Sequence, residues 1–196
     1  LKASGDDVAS LRQIIVGGAA CPLSIMEDFD RYGAEVRVGW GMTEMSPLGT
    51  VNASLDSRES FGEQAFAKVR LKAGRQIFGV EMKIVDDEGH VLPWDGVAFG
   101  SLLVRGPWVC SSYFKLEGSD AHAHEGWFET GDVATIDSQG YMAITDRIKD
   151  VIKSGGEWIS SVELENEIMS HPDVAEAAVV GIVHPKWGEA ALACVV

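Results

Sequence analysis

Three features are scarce in this sequence: cysteine, positive charge and long apolar runs. The cysteines, Cys21, Cys110 and Cys194, are far apart and form no CxxC pair, so buried, reduced thiols are expected rather than a disulfide framework. No apolar run approaches the roughly 18 residues of a membrane-spanning helix, and the first residues lack the charged-then-apolar pattern of a signal peptide. We therefore expect a soluble, cytoplasmic protein without a transmembrane segment.

Acidic residues dominate the charge of the chain. The sequence has 30 Asp and Glu against 16 Lys and Arg, which gives a formal net charge of −14. Such a surface repels phosphate backbones, so no nucleic-acid partner is expected. A small phosphorylated ligand stays compatible with this charge, because backbone N–H groups, one arginine and a metal ion can form a local site.

Both ends of the chain have the character of cuts in a longer sequence. Position 1 is Leu1 rather than an initiator Met, and residues 190–196 form an apolar, strand-like run without a polar tail. Natural termini are usually polar and exposed. We therefore expect an internal segment of a longer protein.

The first part of the chain, residues 1–61, has the pattern of a strand–helix–strand unit. Residues 11–16 form an apolar run typical of a strand that is covered on both faces. A helix is predicted from Pro22, a favoured first helical residue, and residues 36–38 form the next strand, followed by a glycine-rich loop at 39–44. This part is predicted to be the end of a mainly parallel α/β subdomain.

The middle part, residues 62–146, changes to a period of two. Val80, Met82 and Ile84 alternate with other residues over 80–85, and a turn is predicted at 86–89. Further strands are predicted at 101–105 and 140–145. We predict a small antiparallel β-rich subdomain here.

The last part, residues 147–196, is predicted to contain a hinge and the start of a small α+β C-terminal domain that is truncated. Residues 151–157 have the pattern of a hairpin with glycines at its bend. Ser160 and Glu163 are spaced as a capping box for the helix that follows. Two further strands are predicted, at 177–183 and 191–196.

Three polar or glycine-rich clusters lie beside the predicted strands, where ligands bind in open α/β sheets. Trp40 offers a flat face for stacking a base, and Glu44 offers a carboxylate of the kind that holds Mg²⁺. Asp132 can accept from two ribose hydroxyls, and Arg147 can bind phosphate or sugar. Taken singly, each cluster is explained as well by an ordinary turn or surface ion pair. The clusters are residues 17–20, residues 39–44, and residues 127–132 with 145–147.

Taken together and in this order, the clusters resemble the motifs of the adenylate-forming superfamily, in its acyl-CoA synthetase branch. The likeness is greatest to medium- and long-chain fatty acyl-CoA synthetases and extends from about Leu11 to the last residue. The matching segments are GGAACPL at 17–23, GWGMTE at 39–44, GSLLVRGP at 100–107 with Tyr113, WFETGD at 127–132 and TDRIKDVIKSGGEWISSVELE at 145–165. Five ordered motifs are a specific signal.

The resemblance implies a site for ATP and its AMP moiety. Thr43 would bind the α-phosphate and Glu44 would bind Mg²⁺, and these two are the candidate catalytic residues. Asp132 would hold both ribose hydroxyls, and Trp40 stands where the family usually has Tyr. The residues that the resemblance assigns to the nucleotide are Gly18, Ala19, Ala20, Trp40, Gly41, Met42, Thr43, Asp132 and Arg147.

The resemblance also implies a hinge and two substrate channels. Lys149 falls at the hinge position, where the C-terminal domain swings between one pose for adenylation and another for thioester formation. Gly39 and Gly41 would border the acyl pocket. The residues implied for the coenzyme A path are Gly155, Gly156, Glu157 and Trp158.

The implied reaction converts a fatty acid, ATP and coenzyme A to acyl-CoA, AMP and pyrophosphate through an acyl-adenylate. A homodimer is left open. The family's phosphate loop, of the type SGTTGxPKG, would lie upstream, and its catalytic lysine would lie beyond Val196. We therefore expect the isolated segment to be inactive although the parent protein is active.

Other functions stay open at this stage. An aryl-CoA or other carboxylic-acid–CoA ligase is the nearest alternative, and a peptide-synthetase adenylation domain is less favoured because no carrier-domain linker is visible. An alternative of another class is a catalytically inactive nucleotide-binding or interaction module. The presence of Thr43, Glu44, Asp132 and Arg147 argues against that alternative. The sequence does not define the acid or the length of its chain.

Overall fold

The computed structural model describes residues 10–19, 21–52, 61–115, 122, 126–169, 171 and 173–196. Ala20, which the resemblance assigns to the nucleotide, lies outside these ranges. Within them the chain forms twelve strands in three four-stranded sheets, with three α-helices and one 3₁₀ turn. No helix in this part of the chain combines the length and apolar character needed to cross a bilayer.

The first sheet contains the predicted strand–helix–strand unit. This unit is β1 (Gln13–Val16), α1 (Leu23–Asp30) and β2 (Glu35–Gly41), with β1 and β2 parallel. After the 3₁₀ turn at Thr43–Met45 come β3 (Leu48–Val51), α2 (Glu63–Arg70) and β4 (Arg75–Gln76). The strand order is β1-β2-β3-β4, and β3 and β4 join the sheet in antiparallel fashion.

A small apolar core determines where α1 forms. Pro22 stands at the N-cap in an extended conformation, so the helix begins one residue later than predicted. Met26 is fully buried against Val36 of β2, and Val16 of β1 packs on the same cluster. The prediction that β1 is covered on both faces is wrong, because Ile15 points away from this cluster and is 58% exposed.

The second sheet is antiparallel throughout. Its strands, in spatial order, are β5 (Glu81–Val85), β6 (Phe99–Arg105), β7 (Phe128–Ile136) and β8 (Met142–Arg147). Ile84, Leu102 and Ile136 are completely buried in its core, and Met45 of the 3₁₀ turn joins them. Each such side chain contributes about 1.5–3 kcal/mol through burial, so the core holds the 3₁₀ turn against the second sheet.

β7 and α2 were not predicted as a strand and a helix. The segment at 127–132 was interpreted as a polar loop, but from Phe128 onward it belongs to β7. In β7 the buried residues Phe128, Val133 and Ile136 lie on both sides of polar positions. Likewise, residues 39–41 were predicted to follow a strand and instead form the end of β2.

The third sheet has the order β10-β9-β12-β11. Its elements are β9 (Ile152–Ser154), β10 (Glu157–Ile159), α3 (Ser161–Met169), β11 (Ala177–His184) and β12 (Gly188–Val195). The predicted glycine hairpin is confirmed: Gly155 and Gly156 have φ of 62° and 91° between two paired strands. Ser160 accepts the N–H of Glu163 on its Oγ at 3.1 Å, as a helix cap does. The predicted fold class, α/β with α+β, is confirmed.

The cysteines differ in exposure. All three are free thiols, and Cys21 is buried while Cys110 is half-buried. Cys194 is exposed, contrary to the expectation of buried thiols, because most of β12 is open to solvent.

Candidate functional site

A cleft of about 810 Å³ lies where the three sheets meet. Predicted nucleotide residues border it from the first and second sheets, and Lys149 borders it from the connection to the third. The third sheet contributes Gly181 and Glu189. The predicted site residues that line this cleft are Gly18, Ala19, Gly39, Trp40, Gly41, Met42, Asp132, Arg147 and Lys149.

A bulge in β7 positions Asp132. Glu129 pairs with Leu103 and Val133 pairs with Ser101, so residues 130–132 of β7 lie opposite Leu102 alone. Gly131, at the centre of this bulge, has a φ of 77°, a conformation that favours glycine. Bulges often re-aim a side chain next to a functional site. Gly131 and Asp132 therefore belong to a β-bulge within a strand and not to a free loop.

The carboxylate of Asp132 binds one partner on each oxygen. Oδ2 accepts the indole N–H of Trp40 at 2.9 Å, and Oδ1 lies 2.8 Å from Nε of Arg147. Arg147 is the direct cross-strand neighbour of Asp132 in β8. Burial raises the pKa of the Asp132 carboxyl, while the Trp40 hydrogen bond and the Arg147 charge act in the opposite direction. The structure thus brings three predicted site residues together over a large distance in sequence.

Glycines next to Trp40 allow this arrangement. A side chain at Gly49 of β3 would come within 2.7 Å of Cζ3 of Trp40, so the indole ring lies directly on the backbone there. A side chain at Gly41 would collide with the carbonyl oxygen of Pro47. Neither obstacle can be removed by moving a flexible side chain, since both involve backbone or a packed ring. Gly41 is therefore required by the turn into the 3₁₀ segment, whatever its role towards a ligand.

Glu44 is held from a distant part of the chain. The Tyr113 hydroxyl donates to Oε1 of Glu44 at 2.8 Å, and the N–H of Cys110 donates to the Glu44 carbonyl at 2.8 Å. Burial, followed by the hydrogen bond and charge of Glu44, raises the pKa of Tyr113 to about 12. In the sequence, Tyr113 accompanies the motif at 100–107, but no role was predicted for it. Residues 44 and 113 are too far apart in the chain for a spacing pattern to connect them.

Glu44 also suits a divalent cation. Its side chain is half-buried, and it forms no ion pair with any residue in the described ranges. A carboxylate oxygen is the hard ligand that Mg²⁺ prefers. Thr43 is exposed beside it, and neither residue is part of the cleft wall itself. The two candidate catalytic residues thus lie next to the cleft, directly after Met42.

Two of the residues predicted for the coenzyme A path, Gly155 and Trp158, pack against aromatic side chains. The N–H of Gly155 donates to the carbonyl of Trp187 at 2.8 Å, and a side chain at Gly155 would press on the Trp187 ring. Trp158 packs against Phe99 with 5.9 Å between ring centroids. The cleft wall contains none of the four predicted residues.

The fold and the cleft define the class of protein. An α/β sheet supplies a cleft bordered by glycines, and the cleft contains an aromatic ring, a buried carboxylate and an arginine, a combination that suits a nucleotide. The chain belongs to the AMP-binding enzyme family. That family matches residues 1–114, and the AMP-binding enzyme C-terminal domain matches residues 163–196.

Named relatives agree with this assignment. The chain is 54% identical to a 3-methylmercaptopropionyl-CoA ligase of Ruegeria pomeroyi, over 96% of the chain and 35% of the relative. It is 49% identical to a medium-chain-fatty-acid–CoA ligase of Ectopseudomonas oleovorans, over 95% of the chain and 34% of the relative. The chain thus spans about a third of the length of these relatives.

A solved structure has the same fold. It is the o-succinylbenzoate CoA synthetase of Bacillus subtilis in complex with its acyl-adenylate intermediate. The TM-score is 0.77 at 36% identity, over 95% of this chain and 36% of the other. The resemblance to the acyl-CoA synthetase branch is therefore confirmed.

Proposed function

We propose that the protein containing this chain is an AMP-forming acid–thiol ligase that converts a carboxylic acid, ATP and coenzyme A to an acyl-CoA. The observation that carries the proposal is the convergence of Trp40, Asp132 and Arg147 on one cleft. Family membership supports it, as do relatives whose names describe CoA ligases.

The nucleotide would occupy the cleft with its ribose at Asp132. The carboxylate is buried and Trp40 holds one of its oxygens, so it can accept from two hydroxyls with little reorganisation. Gly18 and Ala19 would border the base, together with Trp40. Arg147 is 58% exposed and can exchange its contact to Asp132 for one to the sugar or phosphate.

Two steps follow from the chemistry of the carboxylate. The substrate carboxylate first attacks the α-phosphate of ATP and pyrophosphate leaves. The coenzyme A thiol then attacks the carbonyl carbon of the acyl-adenylate and AMP leaves. When bound, Mg²⁺ neutralises charge on the phosphates. Glu44, fixed by Tyr113, would hold that ion, and the Thr43 hydroxyl would donate to the α-phosphate.

The absence of the predicted coenzyme A residues from the cleft wall supports a moving C-terminal part. We propose that residues 1–61 and 62–146 form two parts of the AMP-binding region and that residues 147–196 begin a mobile domain, with Lys149 as its hinge. The hairpin that carries Gly155 and Glu157 contributes neither residue to the cleft wall in the present arrangement. A rotation at Lys149 would bring it to the cleft for the second step, as hinged domains do.

The substrate we propose is a fatty acid or a similar open-chain acid. Both named relatives with about half of the residues identical are named for open-chain acyl groups. An aryl acid is the second candidate, because the o-succinylbenzoate enzyme shares the fold at lower identity. Gly39 and Gly41 would border the acyl pocket in either case.

Pyrophosphate exchange tests the proposal. The assay uses the full-length protein that contains this chain. Exchange is expected only with ATP, Mg²⁺ and an open-chain acid together, and Asp132→Ala should reduce it strongly. The exposed Asp173→Ala serves as a matched control and should leave exchange unchanged.

Two results would contradict parts of the proposal. Full exchange by the isolated 196-residue chain would show that this segment is active alone, contrary to our expectation. No binding of an acyl-AMP analogue to the full-length protein in calorimetry would favour an inactive interaction module.

A further inference from the structure

We propose that Trp40 is a positioning residue whose indole N–H orients Asp132, so that the site distinguishes ribose from 2′-deoxyribose. The inference rests on the proposed function and adds a determinant of nucleotide specificity to it. It concerns a hydrogen bond that Phe cannot make, rather than the stacking that any aromatic ring at this position offers.

The two partners of Asp132 differ in how firmly they are held. The side chain of Asp132 is 5% exposed, whereas that of Arg147 is 58% exposed on a long, flexible stem. Trp40 is half-buried in β2 and lies on the backbone of Gly49. Its N–H therefore approaches Oδ2 from a fixed direction. Of the two contacts, the one from Trp40 is the permanent support and the one from Arg147 is exchangeable.

The hydrogen bond from Trp40 leaves both oxygens of the Asp132 carboxylate able to accept a sugar hydroxyl. Each oxygen of a carboxylate has about two lone-pair sites. Oδ2 can therefore accept the Trp40 N–H and one sugar hydroxyl at the same time. Oδ1 becomes fully available when Arg147 moves. A ribose presents two adjacent hydroxyls and can use both oxygens, but only if the carboxylate plane is correctly turned.

Without the indole N–H of Trp40, the carboxylate plane of Asp132 is free to turn. Without Trp40 Nε1, the buried Oδ2 has no fixed donor, and the carboxylate can turn towards Arg147 alone. A turned carboxylate reaches one hydroxyl but not two. AMP then loses more affinity than 2′-deoxy-AMP, which has only the 3′-hydroxyl to offer. The ratio of the two affinities reports the orientation of Asp132.

Calorimetry of the full-length protein with AMP and with 2′-deoxy-AMP tests the inference. The wild type should bind AMP about tenfold to a hundredfold more tightly, as expected for one hydrogen bond to a charged group. Trp40→Phe should reduce this preference to about threefold or less. Lost stacking affects both nucleotides alike and cancels in the ratio, so a merely structural role of Trp40 would leave the ratio unchanged.

A second substitution removes the N–H without changing the shape of the side chain. Replacement of Trp40 by 3-benzothienylalanine puts sulfur in place of Nε1 at nearly the same volume. It should reduce the preference as Trp40→Phe does, even if Trp40→Phe fails to fold. A wild-type preference that persists in the benzothienyl variant would overturn the inference while leaving the proposed function intact. Failure of the wild type to bind either nucleotide would instead contradict the proposed function, and the inference with it.

Discussion

Asp146 at the end of β8 accepts two hydrogen bonds from Ser161, the first residue of α3. Oδ2 of Asp146 lies 2.7 Å from the backbone nitrogen and 3.0 Å from the hydroxyl oxygen of Ser161. Its Oδ1 accepts the N–H of Arg147 at 2.7 Å. A carboxylate at a helix N-terminus is also favoured by the helix dipole. The Asp146–Ser161 hydrogen bonds connect β8 of the second sheet to α3. Lys149, the proposed hinge, lies between these two residues in sequence.

Asp146→Ala should destabilise the folded protein. The side chain is 3% exposed, so its removal leaves the Ser161 N–H buried without an acceptor, at a cost of about 1–3 kcal/mol. The free energy of unfolding in urea checks this. The exposed Asp150→Ala is the matched control and should change stability by less than about 0.5 kcal/mol. Equal effects of the two substitutions would show that the junction does not depend on Asp146.

Gly41→Ala should destabilise the protein far more than Gly181→Ala. A methyl group at Gly41 collides with the Pro47 carbonyl and comes within 2.9 Å of the Leu48 Cα, whereas at Gly181 the nearest atoms are 3.4 Å away. Backbone atoms cannot move aside cheaply, so we expect a loss of about 1–3 kcal/mol or more. Thermal unfolding midpoints of the two variants check the difference. Similar midpoints would mean that the turn after β2 can relax.

The fold was predictable where local patterns agree with tertiary packing. Residues 11–38 gave a correct strand–helix–strand unit, because helical spacing and a buried apolar face coincide in α1. β7 was missed because the glycine and aspartate at 131 and 132 are typical of loops, and only pairing with β6 and β8 makes this segment a strand. α2 was missed because its eight residues are on average less apolar than those of α1.

The candidate site was predictable as a set of residues but not as a geometry. Trp40, Asp132 and Arg147 were identified one by one, and nothing in the sequence indicated that the indole donates to the carboxylate. The contact of Tyr113 with Glu44 was not predicted, since side-chain pairs between distant segments leave no periodic signal. The absence of Gly155 from the cleft wall depends on the placement of the third sheet, which local sequence patterns do not determine.

Tyr113 should make the stability depend on alkaline pH. The pKa of the phenol is raised to about 12 in the folded protein, whereas an unfolded tyrosine has a pKa of about 10. The unfolded state therefore releases the proton first, so this contribution is present below pH 10 and is lost as pH rises towards 12. Tyr113→Phe should remove this part of the pH dependence.

Urea unfolding of the wild type and Tyr113→Phe at pH 8, 9.5 and 10.5 checks this prediction. The wild type should be more stable at pH 8, because the variant leaves a half-buried oxygen of Glu44 without its donor. The difference should shrink at pH 10.5. A difference that stays constant or grows with pH would contradict the proposed protonated state of Tyr113.

Asp132 should make the stability depend on pH in the acidic range, and here too the stability should fall as pH rises. Burial raises its pKa above the ordinary value of 3.8, so the folded state takes up a proton before the unfolded state does as pH falls. The associated stability is present below pH 3.8 and is lost as pH rises through the folded-state pKa. Relative to Asp132→Asn, the wild type should lose stability as pH rises through the range above 3.8 in which the folded-state carboxyl gives up its proton. An unchanged difference across this range, measured by urea unfolding, would show that Asp132 titrates normally.

The structure of the full-length protein with bound AMP would show whether the nucleotide occupies the cleft. We expect the ribose hydroxyls within about 2.5–3.0 Å of the Asp132 carboxylate, with the base beside Trp40 and Gly18 and with the Trp40–Asp132 hydrogen bond retained. A nucleotide bound elsewhere, with Asp132 still paired only to Trp40 and Arg147, would contradict this expectation.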